Sequence, residues 1–191
     1  MPEPSALRLF VARLSAAEKQ AVLGHDRVFV NANLFATLSA AIEDVCLDRL
    51  VRAERLLKLA RALAENSDEE ELRNAIGRAY YSIHHSLRAM ALWTNKWDPD
   101  GHEESIKQFR VMLSESKFRG RTELRVDDWQ QVTLARLNRH VADYSPYDRQ
   151  QSAQFGRGLE TITGDDWREA AEHNIKWAAR ILTAAIKIVG E

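Results

Sequence analysis

The residues of this sequence that could do chemistry are arginine, histidine and tyrosine side chains, which recur at helical spacing in two stretches. In the first stretch, Arg78, Tyr81 and His85 stand at i, i+3 and i+7, so a helix would place all three on one face. The second stretch lies further along the chain and is a polar stripe made of Arg136, Arg139, His140, Asp143 and Tyr144.

The second stripe contains the groups that phosphate chemistry needs. Arg139 can bind a phosphate through two parallel hydrogen bonds, and His140 can transfer a proton near neutral pH. We therefore expect Arg139 and His140 to be catalytic and the other residues of the two stripes to bind substrate. The alternative is that Arg139 and Asp143, at i and i+4, form an ordinary intrahelical ion pair.

A basic segment lies between the two stripes. From Lys107 to Arg125 there are six basic and two acidic side chains, a local net charge of +4. Such a segment is either a solvated loop or a patch that follows phosphates, and binding by a patch weakens steeply with salt. Arg119 and Arg121, in the middle of the segment, are candidate binding residues.

Metal and cysteine chemistry find little support in the sequence. None of the six histidines has a glutamate three residues before it, which is the spacing of di-iron helical bundles. The neighbours His84 and His85 point about 100° apart on a helix. The single cysteine, Cys46, lies in an apolar stretch typical of a core, and no glycine-rich phosphate loop is present. We expect no metal site and no cofactor.

The elements that must position these residues are helices. The chain has 191 residues with only 8 Gly and 4 Pro, and 45% of it is apolar, which favours an all-α fold with a real core. Residues 5–24 read as one or two short helices followed by a connector. The hydrophobic period then predicts an antiparallel bundle with helices over about 33–65, 68–94 and 102–117, from 127 or 128 to before Pro146, and from 163 or 165 to about 189.

Length and charge bound the remaining possibilities. We expect an N-terminal helical extension over residues 1–32 and one helical bundle domain over residues 33–191. With 27 basic and 28 acidic residues, the chain lacks the overall positive field of a nucleic-acid coat protein. Its longest uncharged stretch, residues 28–42, is shorter than the roughly 20 residues that span a membrane, and its start lacks a basic signal region. We expect a cytoplasmic protein without membrane contact.

Three segments together resemble the HEPN family (higher eukaryotes and prokaryotes nucleotide-binding), in its small prokaryotic branch. The segments are 75–89 with Arg-Ala-Tyr-Tyr, the pair Gly101-His102, and 137–144 with Arg-x-x-Ala-Asp-Tyr. The resemblance covers about residues 45–190. It implies an all-α, often dimeric domain that acts as a metal-independent ribonuclease, as a toxin paired with an antitoxin, or as the partner of a minimal nucleotidyltransferase.

The sequence departs from the pattern of the active ribonucleases of that family, which have a histidine four to six residues after the arginine. Arg139 and His140 match the first half of that pattern, but no histidine occurs between positions 141 and 172. One hypothesis is an RNA-binding protein that acts as a ribonuclease or toxin, and in the ribonuclease version His85 or the partner subunit's His140 supplies the missing proton transfer. The other is a non-catalytic dimeric module that binds a nucleotidyltransferase or an antitoxin, with Asp143 and Tyr144 in structural roles. Nucleotide binding without chemistry is a further option that the sequence leaves open. The sequence leaves open whether the chain is an enzyme.

Overall fold

A computed structural model describes residues 32–115, 122–144 and 164–190, and these residues form a bundle of five helices without a strand. The all-α bundle predicted from the sequence is therefore confirmed. The third helix ends at Ser114 rather than at 117, and the segments 5–24 and 148–163 lie outside the described residues. No helix in the described ranges is long and apolar enough to cross a membrane. The helices are α1 (Ala32–Ala64), α2 (Glu69–Asn95), α3 (His102–Ser114), α4 (Asp128–Tyr144) and α5 (Gly164–Val189).

The central helix of the bundle is α2, which packs against all four other helices. The six apolar residues that the helical period predicts to point inward on α2 are all buried: Leu72, Ile76, Ala79, Ile83, Leu87 and Met90. Cys46 of α1 is also fully buried, as expected for a core cysteine.

The helical period also predicts Ala178, Leu182 and Ile186 of α5 to point inward, and for Ile186 that prediction is wrong. Ile186 is 52% exposed, whereas Ala178 and Leu182 are buried. Each step of four residues rotates the side chain by about 40° around a helix with 3.6 residues per turn. Two such steps carry Ile186 about 80° away from Ala178, and the buried residues Ala185 and Val189 take its place in the core.

The start of α2 is capped by Asp68. Its Oδ1 accepts hydrogen bonds from the backbone N–H groups of Glu70 (2.9 Å) and Glu71 (3.2 Å), which are otherwise without partners at a helix start. The spacing of Ser67 and Glu70 in the sequence predicts a different cap, a capping box in which the Ser67 side chain would accept from the Glu70 backbone N–H. That prediction is wrong by one residue, because the Ser67 hydroxyl contacts Arg168 of α5 at 3.1 Å.

A buried amide joins three helices. Asn174 of α5 is fully buried, and its Nδ2 donates to the carbonyl oxygens of Ile76 on α2 (3.3 Å) and Ala135 on α4 (3.0 Å). Its Oδ1 accepts from Nδ2 of Asn138 on α4 (3.0 Å). Because a buried amide is costly unless it is hydrogen-bonded, these contacts specify how α4 sits against α2 and α5.

The connector between α2 and α3 is held by a buried carboxylate. Asp98 accepts hydrogen bonds from Arg88 of α2 (2.8 Å) and from Arg49 of α1, and Arg88 also reaches Asp100 at 3.2 Å. Burial opposes the ionisation of Asp98, but the hydrogen bonds and charges of Arg88 and Arg49 outweigh it and hold its pKa below the ordinary value. The connector thus places His102, the first residue of α3, against α2.

Candidate functional site

Polar side chains from α2, α3 and α4 meet on one side of the bundle. Two come from α2, one from the first turn of α3 and three from α4, so the site depends on the packing of three helices. We call this group the polar cluster, and its members are Tyr80, Tyr81, His102, Arg136, Arg139 and Asp143.

Arg139 is oriented by two neighbours. Its Nη2 donates to the Tyr81 hydroxyl at 3.2 Å, and its guanidinium carbon lies 5.3 Å from the centre of the Tyr81 ring. Its Nε lies 2.5 Å from Oδ2 of Asp143, so the ion pair expected at i and i+4 is present. The Arg139 side chain is 18% exposed. The guanidinium is therefore held in one orientation while part of it remains accessible.

Arg136 is more accessible than Arg139 and is paired differently. Its Nη2 lies 2.9 Å from Oε1 of Glu103 on α3, and the Glu103 side chain is 81% exposed. Exposed ion pairs of this kind contribute roughly 0–1 kcal/mol to stability. A phosphate can therefore replace Glu103 as the partner of Arg136 at little cost. The sequence did not single out Glu103.

His102 is the histidine that the fold brings to the arginines of α4. Its Nδ1 lies 3.1 Å from the hydroxyl of Tyr80, and its ring centre lies 5.8 Å from that of Tyr81. Partial burial lowers the pKa of His102, and the charges of Arg139 and Arg136 lower it further. The ring is therefore neutral near pH 7. The hydroxyl of the buried Tyr80 also stays protonated, because burial raises its pKa.

A second histidine, His84, packs against the ring of His102. His84 is buried at 6% exposure, and its ring centre is 4.2 Å from that of His102. Burial lowers the pKa of His84 to about 3, and repulsion from the positive charge that His102 carries when protonated is the next cause. The sequence contained a signal for this pair that was missed. Tyr80 and His84 are polar residues at i and i+4 on the apolar side of α2, where only a hydrogen-bonded or ring-stacked polar group is tolerated.

The three residues of the first predicted stripe have different surroundings in the fold. Tyr81 contacts Arg139, whereas Arg78, one turn earlier, is exposed and has no ion-pair partner among the described residues. His85, one turn later, is half-buried, and burial followed by the charges of Arg52 and other nearby arginines lowers its pKa to about 4. His85 therefore lies beside the arginines of α1 and α2, and no contact joins it to Arg139.

The second stripe lies on the last turns of α4. His140 is half-buried there and occupies the position after Arg139. Tyr144 is the final residue of α4, and its side chain lies outside the described part of the structure. The end of α4 is attached to α2 by Arg73, whose Nε donates to the carbonyl oxygen of Ala142 at 2.8 Å.

Only part of the predicted basic segment is described. Lys107, Arg110 and Arg125 are exposed, and the Arg110 guanidinium lies 4.7 Å from the centre of the Trp129 ring. Arg119 and Arg121 lie outside the described residues. The described cations of the segment are therefore available at the surface, and the prediction of a phosphate-binding patch remains a prediction.

An open groove of about 640 Å³ lies on the other side of Asp143. Four of its lining residues are acidic, and Arg73 is the one basic residue among them. This charge repels phosphate, so the groove is a poor site for an anionic ligand. The groove is lined by Asp68, Glu69, Glu70, Arg73, Asn74, Ala142 and Asp143.

Other chemistry has little basis in the described residues. Across residues 32–115, 122–144 and 164–190, no three His, Cys, Asp or Glu side chains are grouped as a metal ion requires. Burial raises the pKa of Cys46 to about 12, so this side chain stays a thiol and does not act as a nucleophile.

Comparisons with models of protein families, with curated proteins and with solved structures found no match for the chain.

Proposed function

We propose that this chain is a HEPN-like cytoplasmic protein that binds RNA phosphates at the polar cluster and cleaves RNA without a metal ion, as the toxin of a toxin–antitoxin pair. One contact carries the proposal. Arg139 of the Arg-x-x-Ala-Asp-Tyr segment donates a hydrogen bond to Tyr81 of the Arg-Ala-Tyr-Tyr segment, 58 positions earlier in the chain. The two segments that resemble the family thus meet in one place.

The charges of this surface support phosphate binding. Arg78 is exposed and has no ion-pair partner in the described ranges, and the pair between Arg136 and Glu103 is exposed. The Arg139 guanidinium is oriented by Asp143 and Tyr81, and an arginine is the side chain that can bind a phosphate through two parallel hydrogen bonds. Arg136 and Arg139 of α4 and the exposed Arg78 of α2 are therefore the cations that these two helices offer to a phosphate.

The proposed reaction uses proton transfer and charge stabilisation alone. A base takes the proton of the 2′-hydroxyl, an acid protonates the 5′-oxygen that leaves, and a cation stabilises the charge that develops on the phosphorane. Arg139 supplies the cation, and His140 supplies one of the two proton transfers. The products are a 2′,3′-cyclic phosphate and a 5′-hydroxyl.

Cleavage of a labelled single-stranded RNA in the presence of EDTA tests the proposal. We expect Arg139→Ala to lower the cleavage rate by a factor of at least about 100, because an oriented charge at the phosphorane is lost. Arg61→Ala is the matched control, since Arg61 is an exposed arginine in the last turn of α1. Absence of cleavage by the wild-type protein, or equal rates for wild type and Arg139→Ala, contradicts the proposal.

The ion pair between Arg139 and Asp143 favours a second candidate, a non-catalytic dimeric module that binds a nucleotidyltransferase or an antitoxin. In that case the pair is structural, and Arg139→Ala lowers the free energy of unfolding without affecting any RNA cleavage. Co-expression with a small nucleotidyltransferase encoded next to the gene separates the candidates. A stable complex together with intact RNA supports the module, and RNA degradation that the neighbour suppresses supports the toxin.

A further inference from the structure

We infer that His102 is the general base of the proposed reaction and that it takes the proton of the 2′-hydroxyl, while His140 acts as the acid. This inference rests on the proposed ribonuclease function. It assigns the proton transfer that the motif in α4 leaves without a residue, and it places that residue on α3, outside both predicted stripes.

The position of His102 carries the inference. Its ring lies against Tyr81, which is hydrogen-bonded to Arg139, and the next residue along the chain, Glu103, is paired with Arg136. A phosphate held by the two arginines is therefore next to the His102 ring. His85, the other candidate of α2 and α3, lies among Arg49, Arg52 and Arg88 instead.

The hydrogen bond between Nδ1 of His102 and the Tyr80 hydroxyl is compatible with the tautomer that the proposed step needs. When Nδ1–H of His102 donates to the Tyr80 oxygen at 3.1 Å, the lone pair is on Nε2. His102 is half-buried, and this is the one hydrogen bond that its ring makes within the described residues. Tyr80 is buried in the core, and its hydroxyl orients the His102 ring. Tyr80 is accordingly a positioning residue.

The charged and titratable groups around His102 keep it neutral and ready to accept a proton. From α4, Arg136 and Arg139 face it; from α2, Arg88 and the rings of Tyr80, Tyr81 and His84 do so. The positive charges of these arginines disfavour protonation of the His102 ring until the substrate phosphate has bound. Once the phosphate neutralises the arginines, the imidazolium that forms during the reaction is stabilised.

Each proton and bond of the proposed step is accounted for by His102, His140 and the RNA. Nε2 of His102 takes the proton from the 2′-hydroxyl as O2′ attacks the phosphorus atom. The bond between phosphorus and O5′ then breaks, and O5′ takes a proton from His140. The ring of His102 ends as imidazolium and His140 as neutral imidazole, and exchange with water restores both.

Cleavage assays on His102→Asn test the inference, because asparagine keeps a polar atom near Tyr80 but cannot act as a base. We expect the rate to fall by a factor of about 100 to 10,000, with RNA binding and thermal stability retained. His173→Asn is the matched control, since His173 is a half-buried histidine that contacts Gln131 rather than the polar cluster. We expect the control to cleave at the wild-type rate.

A substrate with sulfur in place of the 5′-bridging oxygen distinguishes base from acid. Sulfur leaves without protonation, so this substrate restores cleavage by His140→Ala but does not restore cleavage by His102→Asn. If it restores His102→Asn instead, His102 is the acid and the inference is wrong.

The dependence of the wild-type rate on pH provides a measurement that does not require a variant to fold. On the acidic side, the cleavage rate should fall with the same midpoint pH as the NMR titration of the His102 ring, and this midpoint should lie below pH 6.5. Failure of the two to coincide overturns the inference. Wild-type cleavage that is lost in Arg139→Ala but unchanged in His102→Asn also overturns it and leaves the proposed function intact. Absence of any wild-type cleavage overturns both.

Discussion

Burial determines what the histidines of this protein do. His84, His85 and His102 on α2 and α3 all have pKa values below the ordinary value, and in each case burial is the largest cause. A neutral imidazole is a base rather than an acid at neutral pH. Burial keeps the His102 ring neutral, with a lone pair free to take a proton. The same burial makes protonation of the neighbouring His84 and His85 destabilising.

The stability of the protein should therefore decrease as the pH falls. The folded-state pKa of His84 is about 3 and its ordinary value is 6.5, so between these values the unfolded chain binds more protons. The stabilisation is fully present above pH 6.5 and is lost progressively toward pH 3. For His84 alone we expect about 2 kcal/mol to be lost between pH 7 and pH 5.

Urea unfolding of wild type and His84→Gln at these two pH values measures this effect. The variant cannot take up a proton at position 84, so its stability should depend less on pH by about the same amount. An equal pH dependence in the two proteins contradicts the prediction, whatever the absolute stability of the variant.

At the scale of the elements, the start of α2 was predicted correctly within one residue but for the wrong reason. Ser67 and Asp68 are both good capping residues, and the sequence pattern alone does not decide between them. In the structure, α5 provides Arg168 as a partner for the Ser67 hydroxyl, and Asp68 makes the backbone contacts. A contact with a distant helix thus decides the cap.

Substitution of each residue by alanine tests which one caps α2. We expect Asp68→Ala to lower the free energy of unfolding by about 1 kcal/mol, because two backbone N–H groups lose their acceptor. Ser67→Ala, the matched control, should lower it by less, since its contact with Arg168 is exposed. Chemical denaturation gives both values. A larger loss of stability for Ser67→Ala than for Asp68→Ala supports the capping box of Ser67 and Glu70 instead.

At the scale of the whole molecule, the outer side of α1 has large apolar side chains that remain exposed within the part of the chain that the structure describes. Leu47, Val51 and Leu59 are 45%, 46% and 44% exposed. Leu47 and Val51 are one turn apart, at i and i+4, so they form a neighbouring pair on the surface of the helix. The resemblance to the HEPN family implies a dimer, and we propose that a second copy of the chain covers this pair.

Light scattering tests the dimer. We expect a mass of about twice 21.8 kDa for the wild-type protein and a shift toward 21.8 kDa for Val51→Glu, because a charge at the interface is desolvated without a partner. Val126→Glu is the control, since Val126 is equally exposed at 52% but lies just before α4. A wild-type mass near 21.8 kDa contradicts the prediction.

The sequence by itself determined the helices and most of their buried sides, because both follow from a local period of 3.6 residues. It also placed Tyr81 and Arg139 on polar stripes. Only the tertiary structure brought Tyr80, His102 and Glu103 to those stripes. Contacts between residues tens of positions apart depend on how helices pack, which in this chain is set by buried groups such as Asp98 and Asn174, and a local period carries no information about them.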